Sequence, residues 1–285
     1  MNATQLYERL DKDFAVNRYV DEWGPFLEIN EFIHLGFQGR WIGVMLDNTQ
    51  EIRKVYTVAL PDTAVLEAIL SRAETDILVF SHHAMGYDPT RAGFPFYNAP
   101  VDYLRRIREQ RVALYVMHAP LDCNGPYSTS VSLAKALGLT VVGEFCEYLG
   151  CKVGVLCEAA FTQATGFAAH VEKVVGHEVK LWPYGEETIA AGKIALAAGG
   201  GSMGIIAEEL TALGINTYLT GVTRPTPAFE PSIVFHRIAR EGRINVLGAT
   251  HYSTEKYACM AMVDYFRKLG LDAEFVAGTP CLADL

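Results

Sequence analysis

Short runs of β-branched and aliphatic residues alternate along this chain with helix-length amphipathic segments. That alternation results when crossover helices connect the strands of a largely parallel sheet, so the expected class is α/β. The pattern predicts strands at Val55–Ala59, Asp76–Phe80, Val112–Met117, Val153–Cys157, Val179–Trp182, Lys193–Ala198, Thr217–Thr220 and Ile244–Leu247. The Asp76–Phe80 run is too short for a helix and is bounded by a charge and a His-His pair, so it reads as a buried strand. Between the strands, helices are expected at Asp62–Arg72 with Asp62 as N-cap, at Val101–Arg111, from Ser128 or Ser130 to Gly138, and at Thr165–Val175 closed by Gly176. Three more should end near Leu213, Arg240 and Leu269, the last opening about Ser253. Residues 1–36 read as helical and irregular, broken at Trp23-Gly24-Pro25.

The chain changes character near residues 146 to 152 and restarts from Lys152. The expected division is a discontinuous first lobe of residues 1–148 with 246–285, and a second lobe of residues 149–245. A length of 285 residues suits about two domains, and 50% hydrophobic residues supply a sizeable core. Twenty-four basic against thirty-three acidic side chains leave a net charge of −9, whose field repels phosphate backbones and anionic membranes. Neither nucleic acid nor membrane is therefore expected as a partner. The N-terminus lacks the basic and apolar regions of a secretory signal, no run approaches the ~18 apolar residues of a membrane span, and a cytoplasmic location is expected. The six cysteines contain no Cys-x-x-Cys pair, which argues against a zinc ribbon or disulfide scaffold and predicts buried free thiols.

Three expected strands end in similar chemistry: Phe80-Ser81-His82-His83, Met117-His118 with Asp122 four residues on, and Ala249-Thr250-His251 with Glu255 four residues on. Ligands of open α/β sheets bind beyond the carboxyl ends of strands, so parallel strands would deliver these groups to one crevice. His251 and Glu255 share one helix face, whereas Pro120 predicts a turn between His118 and Asp122. Imidazoles and carboxylates without thiolate pairs suit Zn, Mn, Fe, Co or Ni. Four histidines and two carboxylates exceed the needs of one ion, and two divalent metal ions are the economical expectation. A lone histidine at a strand end is more often a hydrogen-bonding residue than a ligand; coincidence at three ends is harder to arrange. His34, His170, His177 and His236 have no such partners nearby in sequence and are assigned no role.

Other motifs carry less. Gly199-Gly200-Gly201 could cradle an anion at a helix N-terminus, but no Gly-Lys-Ser/Thr or spaced dinucleotide glycines follow, and tight helix–strand packing explains it as well. Arg224 could bind a substrate anion or be a solvated loop residue. Ser128, Ser130 and Ser132 lack a Gly-x-Ser-x-Gly setting, which leaves a serine hydrolase unsupported.

Taken together, Asp76-Ile-Leu-Val-Phe-Ser-His82-His83, His118-Ala-Pro-Leu-Asp122, Leu133-Ala-Lys-Ala-Leu-Gly-Leu139, Ala197-Ala-Gly-Gly-Gly-Ser202, Tyr218-Leu-Thr-Gly221 and His251-Tyr-Ser-Thr-Glu255 resemble the motifs of the NIF-three-like family, the GTP cyclohydrolase I type 2 homologues. The resemblance covers roughly residues 55–280. It implies two α/β lobes of mixed, largely parallel sheets with flanking helices, a dinuclear metal site in the cleft between them, and a ring-shaped homo-oligomer, commonly a hexamer. It also makes His82, His83, Asp122, His251 and Glu255 metal ligands and His118 a site residue, here expected as a proton shuttle or orienting group. Two departures stand out: Val222 follows Gly221 where the family usually has an acidic residue, and no Trp-Asp-Asn segment occurs in residues 1–54. The function expected is a metal-dependent hydrolase or cyclohydrolase acting on a nucleotide-like or other small molecule; a non-catalytic metal-binding scaffold is the alternative. The aromatic loop Gly86–Pro100 is expected either at a subunit interface, over the metal crevice, or folded on its own domain.

Overall fold

A computed structural model of the chain describes residues 1–148 and 150–285. The first half runs α1 (Ala3–Asp13), β1 (Gly43–Leu46), β2 (Lys54–Val58), α2 (Thr63–Leu70), β3 (Ile77–Ser81), β4 (Gly86–Tyr87), β5 (Phe96–Tyr97), α3 (Val101–Glu109), β6 (Val112–Val116) and α4 (Ala119–Asp122). There follow α5 (Thr129–Ala136), β7 (Thr140–Tyr148), β8 (Cys151–Glu158), α6 (Ala164–Val175), β9 (Lys180–Trp182) and β10 (Lys193–Ala197). The chain continues with α7 (Gly204–Ala212), β11 (Thr217–Thr220), α8 (Glu230–Glu241), β12 (Asn245–Gly248), α9 (His251–Lys268) and β13 (Asp272–Phe275).

One compact unit comprises Met1–Asp88, Pro95–Leu121 and Ala258–Gly278. Its sheet has the order β1-β6-β3-β2-β13, all neighbours parallel except the antiparallel edge pair β1 and β6. All of β3 and β6 is buried, because helices cover a parallel sheet on both faces, which favours apolar residues along the whole strand; the one exception in β3, Ser81, donates its hydroxyl to the His83 carbonyl. Tyr56, Val58, Val79, Leu114 and Val116 join Val65, Leu66 and Ile69 of α2 and Leu104 and Ile107 of α3 in the core. Register places Ser81 level with Val58 and Val116. Residues just past Ser81 and Val116 therefore emerge at one carboxyl edge.

The second unit comprises Pro89–Phe94, Asp122–Tyr257 and Thr279–Leu285. Its sheet has the order β7-β8-β10-β11-β12-β9; β10, β11 and β12 are parallel, and the other pairings are antiparallel. Two apolar clusters flank it, one around Phe167, Ile194 and Leu219, the other around Phe145, Tyr218 and Phe235. Ala197 is level with Thr220, and Thr220 with Gly248. Gly199, Gly221 and His251 thus leave the sheet on the same side.

The α/β reading with two sheet lobes holds. The boundaries expected at 148 and 245 differ from the observed divisions at 121/122 and 257/258, because β7 pairs with β8 and β12 with β11 in the second sheet. The expectation of six free thiols is corrected: Cys123 and Cys151 form a disulfide, with Cα atoms 5.7 Å apart. Their 28-residue separation carries no local signal; the pair is brought together by tertiary bonds such as Asn124 N–H to the Lys152 carbonyl, 2.9 Å. Cys146, Cys157 and Cys259 are buried thiols, and Cys281 is partly exposed. No helix among the described residues is long and apolar enough to cross a membrane.

Candidate metal centre

In the first unit β3 ends at Ser81, and the main chain keeps its alignment for two more residues: the His82 and His83 N–H groups donate to the carbonyls of Val58 and Ala59, both at 3.1 Å. Adjacent residues of a strand face opposite ways, but beyond the strand end both imidazoles turn the same way. Ring centroids of His82 and His83 lie 4.5 Å apart, and those of His118 lie 5.1 and 4.9 Å from them. One ligand atom from each of the three histidines lies within 4.8 Å of the others. His82 and His83 are buried and His118 nearly so.

Partners on the far side of two rings set their tautomers. His82 Nδ1 lies 3.0 Å from the Met117 carbonyl, an acceptor only, so that nitrogen carries the proton and Nε2 presents its lone pair. His118 Nδ1 stands 2.9 Å from Oδ1 of buried Asp21 and donates to that carboxylate in the same way. A carboxylate behind an imidazole is the usual means of orienting a metal-binding or proton-handling histidine. Asp21 has no sequence signal: it sits in an irregular segment, 97 residues from His118, and only the tertiary fold pairs them. Trp23 packs edge-on against His118 and His83, with centroids 4.9 and 5.8 Å away, and Phe96 lies 5.3 Å from His83. The β4–β5 hairpin carries Phe96 there, so part of the aromatic loop packs against candidate ligands of its own unit.

The second unit supplies the acidic groups. α9 begins at His251, two residues earlier than expected, which puts His251 and Glu255 one turn apart with Nε2 and Oε1 separated by 3.0 Å. Both are buried. Asp122 closes α4, accepts a hydrogen bond from Thr129 Oγ1 at 2.9 Å, and offers an oxygen within 4.8 Å of one from Glu255. The glycine run has a role that the sequence left open. A Cβ on Gly199, whose φ is +75°, would sit 2.2 Å from Glu255 Oε1 and 3.5 Å from His251 Nε2. Only glycine leaves this carboxylate its place. Gly201 is likewise confined, by Tyr218 Oη and Thr220 Oγ1.

The turn into α9 is strained. Thr250, buried and β-branched, has φ +64°, a conformation costing on the order of 1–3 kcal/mol that survives only where its surroundings enforce it. Its hydroxyl accepts from Ser253 N–H at 3.3 Å, its carbonyl from Thr254 N–H at 3.2 Å, and the next residue's N–H, that of His251, donates to Asp284 Oδ2 at 2.8 Å. Imidazoles of defined tautomer in the first unit, and an imidazole with two carboxylates in the second, are each donor groups of the kind that fits divalent transition ions.

Over 272 residues the chain is 28% identical to the GTP cyclohydrolase 1 type 2 homolog of Archaeoglobus fulgidus, an alignment covering 92% of this chain and 96% of that one. Its identity to the protein of the same description from Pyrococcus horikoshii is 26% over 275 residues, 94% and 98% of the two chains. Among solved structures, TTHA1606 from Thermus thermophilus superposes with a TM-score of 0.69 at 20% identity, covering 99% of this chain and all of that one. The Bacillus cereus protein related to NIF3 gives 0.65 at 12% identity, covering 99% and 98%. At such identities the structural likeness speaks for the fold alone. Residues 27–279 match the family described as Duf34/NIF3 (NGG1p interacting factor 3), and a match of that extent means that this chain belongs to the DUF34/NIF3 family.

Proposed function

We propose that the chain binds two divalent transition-metal ions through His82, His83, Asp122, His251 and Glu255, and that it hydrolyses or opens a ring in a small, nucleotide-like substrate. The observation carrying this reading is the group of three imidazoles, with ligand atoms within 4.8 Å of one another and two tautomers set from behind. The curated relatives' description as GTP cyclohydrolase 1 type 2 homologs supports the nucleotide-like substrate class. Bound divalent ions supply Lewis acidity, which makes water a nucleophile near neutral pH and polarises a substrate oxygen.

The chain's own groups do the rest. Asp21 keeps the His118 Nδ1 proton in place, so His118 Nε2 accepts a proton from the reacting centre and returns it to a leaving group. Trp23 and Phe96 brace the imidazoles and restrict their rotation. Gly199 leaves room for the Glu255 carboxylate.

Elemental analysis of untagged protein reconstituted with Mn, Zn, Fe or Co tests the first step. Two ions per chain in the wild type, with occupancy lost in His83→Ala and Glu255→Ala, is the expected result; less than one ion per chain, or unchanged occupancy in both variants, refutes it. A screen of nucleotides, phosphoesters and cyclic amides on the metal-replete protein then tests turnover. Ion uptake without turnover of any of them replaces the enzyme with a metal-binding scaffold.

A further inference from the structure

Resting on that reading, we propose that Asp284 is a positioning residue for His251, acting from the C-terminal segment on the strained turn that launches α9. Asp284 is buried, and its Oδ2 takes the His251 N–H at 2.8 Å. Its main-chain carbonyl accepts the N–H groups of Thr223 and Arg224, both at 2.8 Å. One residue thus ties the loop beyond β11 to the first residue of α9.

The geometry makes this contact more than an ordinary helix cap. His251 follows Thr250, whose left-handed backbone is unfavourable for a β-branched residue. Relaxation of Thr250 toward the β region would swing the next peptide, and the His251 imidazole with it, away from Glu255. The Thr250 carbonyl is held by Thr254, and its hydroxyl by Ser253. These bonds lie within the helix turn, and its side chains meet other segments through Gly199 N–H to Thr254 Oγ1 at 2.9 Å and Ser253 Oγ, 2.8 Å from His177 Nε2, but none of these holds the His251 amide itself. The bond to Asp284 reaches 33 residues along the chain and anchors the turn to a separate segment. Asp284 holds the His251 amide and so sets the main chain from which a candidate ligand projects. No sequence pattern pointed to it.

The test uses the full chain, with Co(II) as probe and Asp284→Ala and Asp284→Asn as variants. Affinity is read by competition with a chromophoric chelator, and ligand geometry by the visible Co(II) spectrum. Asp284→Ala is expected to weaken Co(II) binding by about 10–100-fold, the usual effect of removing a group that orients a ligand, and to alter the spectrum. Asp284→Asn, whose Oδ1 still accepts the His251 N–H, should stay within about threefold of wild type. Wild-type affinity and spectrum in Asp284→Ala would overturn the proposal, as would an equal loss in both variants. A second readout needs no metal: imidazole nitrogen NMR of the metal-free protein, with the His251 signal assigned through His251→Gln. That signal should shift in Asp284→Ala while those of His82 and His118 stay; an unmoved signal overturns the proposal. Should the wild type take up no Co(II), the metal reading fails by itself and the NMR comparison still decides the role of Asp284. If Asp284→Ala does not fold, Asp284→Ser, whose hydroxyl stops short of the His251 amide, takes its place with the same expectations.

Discussion

Replacing Gly199 by alanine tests whether the glycine is there for the candidate site or merely for a turn. The new Cβ would lie 2.2 Å from Glu255 Oε1, and ordinary contact requires a separation larger by roughly 1 Å. Gly199 cannot retreat easily: its N–H donates to Thr254 Oγ1 at 2.9 Å, and its carbonyl accepts from Gly221 N–H at 3.0 Å, Val222 N–H at 3.1 Å and Thr220 Oγ1 at 3.2 Å. The carboxylate must yield instead, which breaks its 3.0 Å approach to His251 Nε2. Two costs combine. A side chain at φ +75° costs about 1–2 kcal/mol, and a buried carboxylate displaced from its partner costs about 1–3 kcal/mol more. Gly214→Ala separates them, because Gly214 has φ +69° with nothing within 4 Å of its Cβ position and incurs the first cost alone. Urea denaturation of the two metal-free variants should therefore differ by about 1–3 kcal/mol. Ion affinity should fall about 10–100-fold in Gly199→Ala and stay at the wild-type value in Gly214→Ala. Equal destabilisation of the two variants, or intact ion affinity in Gly199→Ala, would refute the reasoning.

Acid stability should depend on Asp76, whose carboxylate accepts from Arg111 Nε and Nη2 at 2.8 and 2.7 Å and from Thr49 Oγ1 at 3.0 Å. The Arg111 guanidinium, foremost, holds this carboxyl well below the usual carboxylate range, against the opposing push of burial. A depressed folded pKa contributes stability that is complete above the unfolded value of about 3.9 and is lost as pH falls toward the folded one. Asp76→Asn should accordingly flatten the unfolding free energy against pH below about pH 5; a slope equal to wild type contradicts it. The Cys123–Cys151 bond closes a loop across a 28-residue separation, for which chain entropy gives roughly 3–4 kcal/mol. Reductant should lower the denaturation midpoint of the wild type but not that of a Cys123→Ser, Cys151→Ser double variant. Identical wild-type curves with and without reductant would show that the bond contributes nothing.

Most buried strands were legible in the sequence because a strand covered on both faces is apolar along nearly its whole length, as in residues 77–80 of β3 and in Val112–Val116. β7 and β13, both at sheet edges, escaped, and so did β1, although Gly43–Leu46 is apolar. β7 is largely exposed, and β13 carries two acidic residues among four, so neither shows an uninterrupted apolar run. The candidate ligands were visible for a related reason: His82, His83 and His118 follow strands and His251 opens a helix, with Asp122 and Glu255 four residues beyond His118 and His251, and a parallel sheet delivers such positions to its carboxyl edge whatever their separation in sequence. The supporting groups were not. Asp21 behind His118, Asp284 at the His251 amide, the space above Gly199 and the Cys123–Cys151 bond all join residues far apart in the chain. Strand and helix periodicity is a local consequence of burial on one face or two, and the sequence by itself determined as much as that local rule reaches. A hydrogen bond from a distant carboxylate depends on angstrom-scale placement of segments that have no periodicity, and only the tertiary structure decided it.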